Sequence, residues 1–427
     1  MSATARAESL RRVRDARRYG LTAGARRVVL SALEGLEGGE LDLTFPDGST
    51  RRFGNPSEGP SVSATVTSDD LFRRLATRGR TGLGESYVAA DWHADDLPAL
   101  LGLLIRNAEP ALSRQPWTTL ATLKAHRPHL SRSNDARRAR RHVRYHYDLG
   151  NDLFRLFLDD SLTYSCAYFE RPGQPLEEAQ QAKYRRLCEK LAIGPDDHVL
   201  EIGCGWGSFA LHAATERGAR VTGVTISREQ HELACERVRA AALDGRIEIL
   251  ERDYRLLEGS FTKIVSIEMF EAIGERQFGT FFATCDRLLA PGGLVGLQTI
   301  AVPDQCFERY KRSSDWIQEY VFPGSLIPSL TAITNAMTES SRLLVHGLED
   351  IGFGYADTLK EWRSRFLGRI DDVRRLGYDE RFIRIWDFYL ASCEALFRTR
   401  SLHDLQLVLT RRLNDSLSRY PSARVTF

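Results

Sequence analysis

The seven cysteines of this 427-residue chain include no C-x-x-C pair. They stand singly at Cys166, Cys188, Cys204, Cys235, Cys285, Cys306 and Cys393. That spacing and the odd number argue against both a zinc site and a disulfide framework, so no metal is expected and most read as small buried hydrophobes. Long apolar runs are missing too. The best, from Ala99 to Ile105, is far shorter than the roughly 20 residues that span a bilayer. The opening residues, M-S-A-T-A-R-A-E, lack the apolar h-region of a secretory signal, and the expectation is a cytoplasmic protein. No internal repeat or low-complexity tract stands out.

What is present is a globular composition, 42% hydrophobic and 27% charged with a net charge of +2. The positive charge is unevenly spread. It gathers at Arg11, Arg12, Arg14, Arg17, Arg18, Arg26 and Arg27, and again in R-R-A-R-R-H-V-R from Arg137 to Arg144. Residues 1–111 read as a small α+β domain. A basic helical segment to about Leu36 opens it, either a solvated surface or a face for anionic lipid or nucleic acid. A hairpin with a D-G turn from Leu41, a strand at Ser61 to Val66, and helices at Asp69 to Thr77 and Leu97 to Asn107 follow. Between those helices, G-L-G-E-S-Y-V-A-A-D-W-H (Gly82 to His93) reads as a connection. Residues 112–141 form an arginine-rich linker, and 142–427 a larger domain.

In that domain strands and helices alternate. Strands are predicted at Val199 to Ile202, Arg220 to Val224, Arg246 to Leu250, Lys263 to Ile267 and Leu294 to Thr299, with helices at Arg228 to Ala242 and Glu275 to Leu289 and a turn at A-P-G-G (Ala290 to Gly293). This is an α/β class chain, a Rossmann-like doubly wound sheet with its ligand at the carboxyl ends of the strands. At its centre lies H-V-L-E-I-G-C-G-W-G-S, where Gly203, Gly205 and Gly207 let the backbone turn sharply and approach a ligand before a helix begins. NAD(P) requires G-x-G-x-x-G and an acid ending the second strand; here position 208 is Ser and that strand ends in Thr225-Ile226-Ser227. Glu201 before the glycines and Asp253 after the third strand suit S-adenosylmethionine (SAM) better. That ligand is a sulfonium cation carrying an adenine amine and no pyrophosphate.

V-L-E-I-G-C-G-W-G, T-G-V-T-I-S-R-E-Q, R-D-Y-R and E-M-F-E-A-I-G, preceded by Y-H-Y-D-L-G-N-D-L-F and L-T-Y-S-C-A-Y-F, closely resemble the cyclopropane-fatty-acid synthase family of class I SAM-dependent methyltransferases. The resemblance runs from about His142 to Leu396, with a weaker one at G-L-G-E-S-Y. It implies that Tyr164, Ser165, Gly203, Gly205, Thr225, Gln230 and Tyr254 surround SAM, and that the reaction methylates the cis double bond of a fatty acyl chain in phospholipid. Such a reaction passes through a carbocation that must be kept from water and then lose a proton. Aromatic side chains between Phe307 and Leu330 (Tyr310, Trp316, Tyr320, Phe322) are candidates for an acyl-pocket wall or for ordinary packing, within an insertion at about 303–345.

By resemblance the base is a bicarbonate ion held by Cys166, Glu271, a His, a backbone group near Ile300 and a Tyr, here Tyr355. The chain departs from this pattern. Gln298 stands where the family usually has His, and Ala272 where His is common after the Glu. Gln can hold a protonated oxygen but cannot titrate near neutral pH. This variation resembles the actinobacterial branch associated with mid-chain methyl-branched acids, in which a methylene product would need a separate reductase. Implied partners are phospholipid with unsaturated chains and an anionic membrane surface, met peripherally through Arg137, Arg138, Arg140 and Arg141. The chemistry leaves a homo-oligomer open. Rival readings are a nucleic-acid or small-molecule methyltransferase and an inactive lipid-binding protein. The absence of N-P-P-Y and D-P-P-Y weighs against nucleic acid, and the intact glycines with Cys166, Glu271 and Tyr355 weigh against an inactive protein.

Overall fold

The structure, a computed structural model, describes residues 22–114, 149–313, 315–414 and 417. The chain forms two compact units. The first takes the described residues up to 114 together with those of Arg312–Tyr320 and Tyr378–Thr399, and the second takes the remainder.

In the first unit a four-stranded sheet has the order β2-β1-β3-β4. Strands β1 (Glu40–Thr44) and β2 (Thr50–Gly54) form the expected hairpin. The Asp47 carboxylate accepts from the Ser49 amide at 2.9 Å, and Gly48 takes the left-handed conformation of the turn (φ 81°). Strand β3 (Ser61–Val66) runs parallel to β1, and β4 (Trp92–Ala94) antiparallel to β3. The stretch read as a connection at Gly82 to His93 is different: a helix spans Asp70–Val88, broken at Gly79, and carries G-L-G-E-S-Y on its second half. Its glycine has a packing purpose. A Cβ at Gly84 would lie 2.5 Å from the Trp316 ring and 2.8 Å from Phe388, so the missing side chain admits both rings. Trp316 stacks on Tyr320 at 5.3 Å and meets Phe388 edge-on at 4.8 Å. These two rings, offered by the sequence as candidates for an acyl wall, thus pack within the first unit.

The second unit is built on a seven-stranded sheet of order β10-β11-β9-β8-β5-β6-β7. Strands β5 (His198–Ile202), β6 (Arg220–Thr225), β7 (Ile247–Glu251), β8 (Phe261–Ile267) and β9 (Leu289–Ala301) are parallel, and the order reverses around β5. Such a reversal opens a crevice at the carboxyl ends of the strands. The A-P-G-G turn proves to be an excursion inside β9: Phe261 pairs with Leu289 and Lys263 with Leu294, so residues 290–293 bow outward without ending the strand. Two antiparallel strands, β10 (Leu343–Asp350) and β11 (His403–Arg411), complete the sheet, with β11 inserted against β9. That insertion sets Gln406 opposite Gln298 and Asp404 opposite Ile300. Helices Leu176–Lys190, Ser208–Arg217 and Arg228–Ala240 belong to this unit, as does Phe278–Leu288. Fully buried Phe270, Phe281 and Phe282 pack among them with ring centroids 5.1–5.4 Å apart.

Candidate active site

Three chain turns at the sheet's crevice build one cavity. After β5 the backbone passes through Gly203 (φ 83°), Gly205 (φ 52°) and Gly207 (φ 81°) into helix Ser208–Arg217. At Gly203 a Cβ would meet the Met269 side chain at 2.7 Å, whereas at Gly205 it would project into open space. The first glycine is therefore fixed by packing, and the second leaves room for a ligand against bare backbone. Tyr164, Ser165, Glu201, Gly203, Gly205, Thr225, Gln230, Asp253 and Tyr254 all line this cavity, and Gly207 caps the helix behind it.

The lining is chemically suited to a cation joined to an adenosine. Glu201 is buried with one oxygen lacking a partner among the described residues, and burial pushes its carboxyl up to about 8. The Tyr254 hydroxyl is likewise buried without a partner among the described residues. Orphaned buried groups of this kind call for a ligand to complete them. Thr225 donates to the Gln230 side-chain oxygen at 2.8 Å, fixing a neutral pair where the second strand ends. Asp253 is less available than its sequence position suggests: Arg255 Nε and Nη2 reach its two carboxylate oxygens at 2.9 and 2.5 Å. Tyr164 sits against Trp362 (5.1 Å) and Phe154 (5.3 Å), and Phe154 in turn against Trp206 (5.1 Å), an aromatic floor beside the cavity.

Three of the other expected residues, Cys166, Gln298 and Tyr355, meet around a carboxylate that sequence reasoning missed. Glu268 follows β8, lines the cavity, and adopts the left-handed conformation (φ 49°) that side chains with a Cβ seldom take. Its Oε1 accepts from the Cys166 backbone N–H at 2.7 Å and from Gln298 Nε2 at 2.9 Å, and its Oε2 from the Tyr355 hydroxyl at 2.5 Å. Gln298 Nε2 also reaches Asp404 Oδ2 at 2.8 Å, while Gln298 Oε1 accepts from Gln406 at 3.0 Å. The Cys166 thiol turns away, toward the carbonyls of Ala167 and Ile351, and burial beside Asp404 and Glu268 raises it well above its ordinary value. Cys166 thus faces the site with its amide.

Glu271 accepts through Oε1 from the Ile300 N–H and from Thr299 Oγ1 (2.8 Å), and its Oε2 is buried without a partner among the described residues. Burial, then the charge of Glu268, pushes it up to about 8. Lys183, fully buried, gives its ammonium to Ser165 Oγ at 2.6 Å, and burial lowers it to about 8. Local signals for these groups were thin. E-M-F-E sets Glu268 three residues before Glu271, but A-Q-Q-A-K-Y reads as helix surface, and Asp404 and Gln406 merely alternate along an apolar strand.

A Rossmann-like sheet with a glycine turn, a cation-tolerant cavity and converging carboxylates defines a class I SAM-dependent methyltransferase. Within that class, the family described as mycolic acid cyclopropane synthetase matches residues 134–407, and the chain belongs to it. It is 39% identical to the tuberculostearic acid methyltransferase UfaA1 of Mycobacterium tuberculosis over 87% of this chain and 88% of that protein. It is 35% identical to the cyclopropane-fatty-acyl-phospholipid synthase of Escherichia coli K12 over 88% of this chain and 97% of that one. Among solved structures, the cyclopropane synthase MmaA2 of Mycobacterium tuberculosis matches with a TM-score of 0.59 at 29% identity, covering 63% of this chain and 97% of its own. The mycolic acid cyclopropane synthase CmaA1, solved with S-adenosylhomocysteine (SAH) and CTAB, matches with a TM-score of 0.59 at 30% identity over the same shares.

Proposed function

We propose that the protein transfers a one-carbon unit from SAM to the cis double bond of an unsaturated acyl chain in phospholipid, leaving a cyclopropane or a mid-chain methylene branch. The observation that carries this reading is the meeting of two sites: the cavity lined by Gly203, Gly205 and Gln230 also exposes Glu268, with Glu271 buried immediately behind it. Bound SAM supplies an electrophilic methyl on a sulfonium. Glu201, Thr225, Gln230, Asp253 and Tyr254 would hold the donor over the Gly203–Gly207 turn, with Tyr164 and Ser165 closing its other side. The alkene's π electrons form the new carbon–carbon bond as the carbon–sulfur bond breaks, leaving a cation on the acyl chain.

A carboxylate-lined cavity would stabilise that cation and offer an acceptor for the proton it must shed. Cys166 (through its N–H), Glu271, Gln298, Ile300 (through its N–H) and Tyr355 order the acceptor. Losing the proton from the newly added methyl closes a ring; a hydride shift followed by loss from the same carbon gives a methylene. The likeness to UfaA1, named as a tuberculostearic acid methyltransferase, and Gln298 at the usual His position favour the methylene. A reductase would then supply the saturated branch. Work at the surface of an anionic membrane, from the cytoplasmic side, belongs to the same reading. Expression in a host supplied with oleate, followed by proton NMR of extracted lipid, tests it. Vinylidene protons identify the methylene and upfield ring protons the cyclopropane, while a lipid extract with neither refutes the reading.

A further inference from the structure

The resemblance supplies a bicarbonate as the base, and its donors are all present, but their geometry does not suit an added anion. The Cys166 N–H, the Tyr355 hydroxyl and the Gln298 amide already converge on the two oxygens of Glu268. The surrounding groups are acids as well. Gln298 bridges Glu268 to Asp404, and Glu271 lies close enough for the Glu268 charge to raise it. A further anion would displace Glu268 from three donors and sit among carboxylates, with buried Lys183 as the nearby cation.

We infer that the Glu268 carboxylate is the proton acceptor of the reaction and fills, as part of the chain, the place the family gives to bicarbonate. The assignment rests on the proposed transfer to an alkene. Two independent features support it. Position 268 is left-handed, where glycine is the unstrained residue, yet it carries a carboxylate aimed into the donor-lined cavity; an unfavoured backbone held at a site is a mark of function. Asp404 provides the second. It is fully buried, one of its oxygens has no donor against it among the described residues, and Glu268 stands within hydrogen-bonding range. A proton on Asp404 meets both needs, donating to Glu268 and leaving the cavity-facing acid ionised, which is the form a base requires. The two acids then share one charge, as a close carboxyl pair does. When the cation forms, a carbon–hydrogen bond breaks, its electron pair closes the ring or the double bond, and the proton passes to Glu268.

The test uses the full-length protein with vesicles of unsaturated phospholipid and SAM, in buffer stripped of carbon dioxide. Wild-type turnover should be the same with and without added bicarbonate. Glu268→Gly relaxes the backbone and empties the place of the carboxylate; it should lose about 100-fold or more of kcat and regain a measurable part of it with millimolar bicarbonate. Glu268→Gln keeps the side-chain bulk and should lose a similar amount without rescue. Both variants should bind SAH by calorimetry as the wild type does, which separates a lost base from a lost fold. Wild-type turnover that collapses without bicarbonate, or a Glu268→Gln variant as fast as wild type, overturns the inference. A wild type that gives no lipid product under any of these conditions fails the functional reading and this assignment together, an outcome distinct from a loss confined to the variants.

Discussion

Glu271 holds the Ile300 N–H and the Thr299 hydroxyl with one oxygen and leaves the other buried without a partner among the described residues. A carboxyl in that position is more comfortable protonated, and it titrates near 8 in the fold against about 4.5 in an ordinary chain. Between those pH values the folded protein keeps a proton that the unfolded chain has released. Its contribution to stability is therefore complete below about pH 4.5 and is lost as pH rises through 8. Glu201 behaves alike over the same window, while Lys183, lowered to about 8, acts in the opposite sense only above that pH. Thermal midpoints measured from pH 5.5 to 8 should fall as pH rises. Glu271→Gln should flatten the fall by up to roughly 1 kcal/mol per pH unit, leaving the part due to Glu201 and to the pair Glu268 and Asp404, both likewise raised by burial. An unaltered slope in the variant would show that Glu271 is already ionised in the fold.

At the scale of elements, the late strands complete the site, and Asp286 helps to hold them there. From helix Phe278–Leu288 this carboxylate receives Arg342 Nε at 2.9 Å, beside the start of β10, and Arg411 Nε at 2.6 Å, at the end of β11. These two arginines keep its pKa low despite partial burial. The linkage runs opposite to that of Glu271: the stabilisation is present above about pH 3.8 and disappears as pH falls through the lower native value. Asp286→Asn should cost about 1–3 kcal/mol at pH 7 by urea unfolding, and the gap from wild type should narrow as pH falls below the ordinary carboxylate value of 3.8. Equal stability at pH 7 would refute the clamp. The five parallel strands and the glycine turn were legible because period and punctuation are local. The role of β11 was not: Asp404 and Gln406 acquire meaning only from their register with Ile300 and Gln298, more than 100 residues earlier. Glu268 was hidden for a related reason, since its partners come from 166, 298 and 355.

For the whole molecule, sequence order and compact units do not coincide. Trp316 and Tyr320 fall in sequence between β9 and β10 of the seven-stranded sheet but pack with Gly84, Glu85 and Phe388, a return that no local pattern encodes. The basic clusters at Arg11–Arg18 and Arg137–Arg144 lie outside the described residues, so their case rests on charge and on the substrate. No helix among the described residues is long and apolar enough to cross a membrane, whereas the proposed acyl substrate is lodged in one. Under the proposed function the protein would meet the bilayer at its surface, and an anionic surface attracts each nearby arginine by roughly 1 kcal/mol. Such attraction is screened as the Debye length shrinks from about 10 Å at 0.1 M salt to about 3 Å at 1 M. Co-sedimentation with vesicles rich in phosphatidylglycerol should therefore be strong at low salt, weak in neutral phosphatidylcholine, and largely abolished at high salt. Replacing Arg137, Arg138, Arg140 and Arg141 by Gln should weaken vesicle binding at least tenfold. None of those residues is among the ones proposed to hold the donor, so the variant should still bind SAH as wild type does. Binding that ignores both salt and headgroup charge would remove electrostatic docking and leave an apolar contact as the means of reaching the acyl chain.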